Sequence, residues 1–273
     1  MEMTFPRRSG QLARIATSPL AVTAAFLLLG FVAAPWSIEH KAHMALHGLC
    51  AQRPSHSYWV GDARLPFDAR MMGIYAGFIT GSVALILAGG FRRSKAVTPF
   101  WAAVLALLVG AMALDGTNSL LLDMMVWHPY EPSNALRVVT GAGTGIALAI
   151  VLCHLAAITL WRTTDRARFV VSGRRETLLL AASPAPLLLL IAIAPGWLYG
   201  SIAVLLIAGA VGVLAMLSLI CIVLLRRLDY AFQSPRQLEP IMVQALLVGV
   251  ATMASLSAGR VLVERLFGTT PLT

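Results

Sequence analysis

His40, His43, His47 and Cys50 recur along the chain at steps of three, four and three residues. On a helix such steps stack side chains on one face, and imidazoles four apart suit a bound metal ion. His43, His47 and Cys50 are thus candidate ligands for a metal or a haem. The same spacing describes an amphipathic interfacial helix whose histidines face water or headgroups, and an isolated HxxxH does not choose between the two.

Ionisable and polar residues crowd the next stretch: Arg53, His56, Asp62, Arg64, Asp68, Arg70 and Tyr75. A third set follows, with Asp115 and Asn118, then Glu131, Asn134, Arg137 and Thr140. Guanidinium forks match carboxylate and phosphate oxygens, so Arg70 and Arg137 are candidate ligands for an anion or a lipid headgroup, with Arg53 and Arg64 beside them. Asp68 and Asp115 would set their geometry, and Tyr75 or Asn134 would add hydrogen bonds. Two other readings use the same residues: a buried ion-pair network that fixes helix order, or a proton relay through Asp68 and Asp115 in a wet pocket.

Membrane helices must position these groups. Of 273 residues, 58% are hydrophobic and only 12% charged, whereas soluble domains carry about a quarter charged residues. The apolar side chains come in runs long enough to cross a bilayer, which needs about 18 or more residues. Seven spans are expected, near 18–36, 71–90, 98–116, 136–161, 178–196, 201–225 and 241–261. Pro184, Pro186 and Pro195 should kink the fifth. The apolar stretch from Leu120 to Trp127 is expected to be interfacial or re-entrant. The stretch from Arg226 to Pro240 is expected to lie along the membrane surface, anchored by Tyr230 and Phe232.

The net charge is +9, and its source decides what it means. Arg7, Arg8 and Arg14, Arg92, Arg93 and Lys95, Arg162 to Arg175, and Arg226, Arg227 and Arg236 all fall on one side of a seven-span chain. Charges on the other side cancel. That asymmetry places the N-terminus in the cytoplasm and the C-terminus outside, and it accounts for the basic balance without nucleic acid as a partner. The fold class is therefore an all-α, polytopic transmembrane helical bundle. It forms a single membrane domain over 1–273, with an outer His-rich amphipathic loop at 37–70, polar-cluster core spans at 71–161 and accessory apolar spans at 178–261.

Gly73, Gly77 and Gly81, and likewise Gly141 and Gly145, recur every four residues, the spacing of closely crossing membrane helices. No Lys-Ser or Lys-Thr follows them, so they form no phosphate loop. Cys50, Cys153 and Cys221 offer no disulfide framework. Met1 to Arg14 is polar and basic, and no cleavable signal peptide is evident after it. Arg260 and Glu264 are expected to pair across one helical turn.

The run Leu46-His47-Gly48-Leu49-Cys50-Ala51-Gln52-Arg53-Pro54-Ser55-His56-Ser57-Tyr58 is followed by Gly61, Arg64-Leu65-Pro66 and Ala69 through Gly77. It resembles the signature of a prokaryotic membrane-protein family, the domain of unknown function numbered 2085. Asp115-Gly116, Asn134, Arg137 and Thr140-Gly141 are similar to the continuation of that signature. The family pattern has histidine where this chain has Ala51, and cysteines where it has Asp68 and Met71. If a typical member binds metal through three cysteines and a histidine, only Cys50 is kept here. The resemblance thus implies the glycine-packed, arginine-centred architecture rather than a metal centre.

The expected protein is a multi-pass resident of the prokaryotic cytoplasmic (inner) membrane, non-enzymatic, acting in transport or as a subunit of a complex. Its partners would be the lipid bilayer and a membrane-protein partner or homo-oligomer. Two alternatives are a membrane enzyme using His43, His47 or His56 as base, and a purely structural accessory subunit. No HExxH or GxSxG motif supports the enzyme.

Overall fold

The computed structural model describes residues 18–268, so Arg7, Arg8 and Arg14 of the charge asymmetry lie outside the described residues. Nine α-helices and one β-hairpin make up the described part. The order is α1 (Pro19–Ala33), α2 (Ile38–Leu46), β1 (Ser57–Val60), β2 (Ala63–Asp68), α3 (Ala69–Leu87), α4 (Pro99–Asp123), α5 (Asn134–Leu160), α6 (Arg174–Ala182), α7 (Pro184–Ile193), α8 (Tyr199–Leu225) and α9 (Pro235–Phe267).

Six stretches are long and apolar enough to cross a membrane: α3, α4, α5, α6 with α7, 196–225 and α9. A seventh requires α1 and α2 together, and these are bent by 120° at residues 34–37. The protein is thus an all-α polytopic bundle with six, or up to seven, candidate spans. The fifth expected span is broken at Ser183, where Pro184 opens a new helix, because proline supplies no N–H and clashes with the preceding turn.

Caps fix the helix starts. The Ser133 hydroxyl accepts from the Leu136 N–H, Thr98 from Trp101, and the Asp68 carboxylate from Met71 at 2.9 Å, each replacing a partner that the first turn lacks. Three boundaries differ from the expectation. The segment 120–123 is the last turn of α4 rather than a re-entrant piece, since nothing in the run from Pro99 breaks a helix. Helix α9 begins at Pro235, and Phe232 is buried in an inner cluster with Trp161 and Leu238 instead of anchoring at a surface. The long first loop folds into α2 and the hairpin, whose two-residue turn puts Gly61 at φ 62°, the position where a type II′ turn needs glycine.

The centre of the bundle is the crossing of α3 and α5. A Cβ on Gly73 or Gly77 would collide with the backbone oxygen of Val138 or Ala142. A Cβ on Gly141 or Gly145 would collide with that of Arg70 or Ile74. Gly81, further along, would meet no atom nearer than the Ala149 side chain at 3.3 Å. Close approach of this kind maximises dispersion contact where lipid leaves no hydrophobic drive between helices.

The two ends of the bundle differ in chemistry. At one end Arg93 forks onto Glu176 at 2.8 and 3.1 Å, Arg92 lies over the Trp161 ring, and its guanidinium donates to the Gln233 carbonyl. These contacts gather the basic loops at 88–98, 161–173 and 226–234 on one face. The hairpin and α2 occupy the opposite face.

Candidate functional site

The candidate site lies on the hairpin face, where α3, α4 and α5 meet. Helix α4 is the peripheral member: its buried residues are Asp115, Asn118 and Ser119, all polar. Asp115 and Ser119 are four apart, as are Ser119 and Asp123, so one stripe of α4 carries its attachment. Gly116 leaves room beside that stripe, since a Cβ there would touch the Arg70 guanidinium at 3.7 Å.

Arg70 reaches across from the first turn of α3. Its Nη2 donates to Asp115 Oδ2 at 2.7 Å and to the Ser119 hydroxyl at 3.1 Å. The other Asp115 oxygen accepts from the Tyr130 hydroxyl at 3.0 Å. Burial, and then the hydrogen bond to Asp115, push the Tyr130 phenol above its ordinary range, so it stays a donor. Asn118 holds the loop that carries Tyr130, donating to its carbonyl at 2.7 Å and accepting from its N–H.

Arg137 stands on the first turn of α5 and is only 5% exposed. Its Nη1 donates to Asn134 Oδ1 at 2.8 Å, and its Nη2 to His56 Nε2 at 3.3 Å. Among the described residues no carboxylate lies within ion-pair distance of it, and its Nε has no hydrogen-bond partner. Arg70, Asp115, Asp123 and Asp68 are the charged groups around it. Arg70 Nε is likewise buried without a partner.

A third arginine lies beside this cluster. Arg53 pairs with Asp123, and His56 Nε2 lies 3.9 Å from the same carboxylate. A carboxylate ending a helix opposes the helix dipole, and these two groups offset that. Asn134 donates to the Ser55 carbonyl at 3.2 Å, tying the loop before β1 to α5. Burial, and after it the charge of Arg137, hold His56 below the ordinary imidazole range.

Other expected site residues go elsewhere. Asp68 pairs with neither arginine: it caps α3 and accepts from the Cys50 thiol at 3.4 Å. Tyr75 packs on Phe67, ring centroids 4.7 Å apart, within the apolar core. Arg64 sits in β2 opposite Trp59, its N–H donating to Glu39 at 3.3 Å. Thr140 donates to the Leu136 carbonyl of its own helix.

The three candidate metal ligands do not converge. His43 Nδ1 meets the Glu39 carbonyl, His47 Nε2 meets Glu264 at 2.7 Å, and Cys50 faces Asp68. Burial and the Asp68 charge push the Cys50 thiol up to about 12, so it is no thiolate. Among the described residues no group of three or more histidines, cysteines and acids is placed to hold a metal. His47 instead helps dock α2 on α9, where Arg260 holds Glu264 at 2.8 Å and donates to the His47 carbonyl at 2.7 Å. An apolar groove of about 590 Å³ between α2 and α9, lined by Met44, Met253 and Leu262, lies apart from the arginines.

Asp123, Ser119 and Tyr130 belong to the cluster although the sequence does not single them out. The four-residue stripe from Asp115 is the available signal for the first two. Tyr130, in an irregular loop, has none.

No curated protein and no solved structure matches the chain. The family model described as "Predicted membrane protein (DUF2085)" matches residues 50–151, a segment that runs from Cys50 through the hairpin, α3 and α4 and into α5. It therefore contains Arg53, His56, Arg70, Asp115, Asp123, Asn134 and Arg137. Over residues 50–151 the chain is similar to this family of predicted membrane proteins.

Proposed function

We propose that this integral membrane protein is non-enzymatic and acts in transport or as a complex subunit, recognising an anion between Arg70 and Arg137 on its outward face. The observation that carries this reading is the condition of Arg137. A buried guanidinium without a counter-charge costs several kcal/mol, and the neutral contacts to Asn134 and His56 do not neutralise it. An anion would supply the missing charge and an acceptor for Nε. Carboxylate or phosphate oxygens, free or on a lipid headgroup, fit that requirement. The basic loops on the opposite face support a prokaryotic cytoplasmic membrane with the hairpin face outward.

Equilibrium binding of radiolabelled sulfate to the protein in zwitterionic lipid nanodiscs tests the reading. Saturable binding that Arg137→Gln abolishes and Arg137→Lys weakens is expected, since lysine keeps the charge and loses the fork. Equal binding by wild type and Arg137→Gln rules the site out. A headgroup ligand is distinguished from a free one by including phosphatidylglycerol, which should compete with sulfate only in the first case.

A further inference from the structure

We propose that the anion binds together with one proton, taken up by His56, which gives up its contact with Arg137 and turns to Asp123. This rests on the anion-site reading above and names the coupling ion of that site. One nitrogen faces both partners: His56 Nε2 lies 3.3 Å from Arg137 Nη2 and 3.9 Å from Asp123 Oδ1. A guanidinium only donates, so the contact with Arg137 requires an unprotonated Nε2 acting as acceptor. A proton added there from bulk water turns the acceptor into a donor and sets two cations face to face. That contact is lost, and the acceptor within reach is the Asp123 carboxylate. Arg137 Nη2 is then free to join Nε as a second donor to the anion.

The charged groups around His56 fit this exchange. They are Arg137 from α5, Asp123 from the end of α4, Arg53 from its own loop, and Asp68 from the cap of α3. Asp68 is engaged by Met71 and Cys50, and Asp123 already holds Arg53. Arg53, Arg70 and Arg137 balance Asp68, Asp115 and Asp123 when His56 is neutral. Protonation leaves one positive charge in excess, and a bound anion offsets it. Proton and anion therefore favour each other's binding, and by linkage the effect is reciprocal.

Calorimetric titration of the nanodisc-embedded protein with sulfate, from about pH 5 to about pH 8, tests the coupling across the histidine range. Sulfate carries no titrating proton there, so any slope belongs to the protein. Wild-type affinity is expected to rise by up to about tenfold per pH unit as pH falls, with uptake of about one proton per sulfate. The proton count is read from buffers of differing ionisation enthalpy. His56→Ala and His56→Gln are expected to bind sulfate with no pH slope, the first more weakly than wild type at low pH because Arg137 is released but the imidazolium charge is missing. The pair covers the case in which one of them folds poorly. Sulfate binding by wild type without proton uptake, or an unchanged slope in both variants, overturns the coupling and leaves the anion site standing. Failure of wild type to bind sulfate at any pH overturns both.

Discussion

Gly141 of α5 lies against the backbone carbonyl of Arg70 on α3, so closely that a Cβ would overlap the oxygen. Arg137 stands one helical turn before Gly141, so the glycine contact brings the two arginines to the same end of the crossing. Glycine-mediated packing and the polar cluster are thus one construction. Like charges are held close because the backbones around them cannot be pushed apart without losing the core.

This makes the glycines unequal. Gly141→Ala and Gly145→Ala should each destabilise the protein by about 1–3 kcal/mol, the usual cost of overpacking, because the obstacle is backbone. A Cβ on Gly110 would meet nothing within 4 Å, so Gly110→Ala should be neutral or gain up to about 1 kcal/mol of helix propensity. Unfolding of the three variants in mixed micelles checks the order.

Asp115 is buried, and its carboxylate accepts from Arg70 and Tyr130 at once, while its backbone carbonyl accepts from Ser119. Asp115→Ala should cost about 3–5 kcal/mol, as removing one partner of a buried pair does. Arg70→Met with Asp115→Leu should restore most of that loss, which a thermal melt of the single and double variants measures.

Arg137 gives the opposite sign. A buried cation without a counter-charge is retained at a cost to stability, so Arg137→Gln should be at least as stable as wild type in anion-free buffer. A large loss of stability in Arg137→Gln would mean that the guanidinium is structural.

His56 gives a pH dependence with a fixed direction. Its value in the folded protein lies below the ordinary 6.5, so the unfolded chain binds more protons as pH falls. Without anion, the stability present above about 6.5 should decline as pH drops through the folded value. His56→Gln should flatten that decline in melts followed from neutral to mildly acid pH.

Much of this is legible in the sequence for identifiable reasons. Runs of apolar residues mark spans because bilayer thickness demands them, and the Gly73 and Gly141 repeats mark the crossing because membrane helices pack through small residues. The pairing of Arg260 with Glu264 follows from helical spacing alone, whereas Asn134, expected beside a ligand, accepts from Arg137 one turn on. Asp68 misleads because its position beside Arg70 conceals its role as a helix cap, and Tyr75 because a membrane tyrosine can serve the core as readily as a site. The hairpin carries a signal, Tyr58-Trp59-Val60 before Gly61-Asp62, that the surrounding charges obscure. The histidines share a helical spacing, yet His47 turns to Glu264 and Gln52 while His43 bonds the Glu39 carbonyl of its own helix.

Whether Arg137 awaits an anion is decided by an experimental structure of the lipid-embedded protein grown with selenate, whose selenium marks its own position by anomalous scattering. A selenium peak is expected beside Arg137, with oxygens about 3 Å from its Nε. No peak there, with Nε bonded to a protein carbonyl or carboxylate, would refute the anion site.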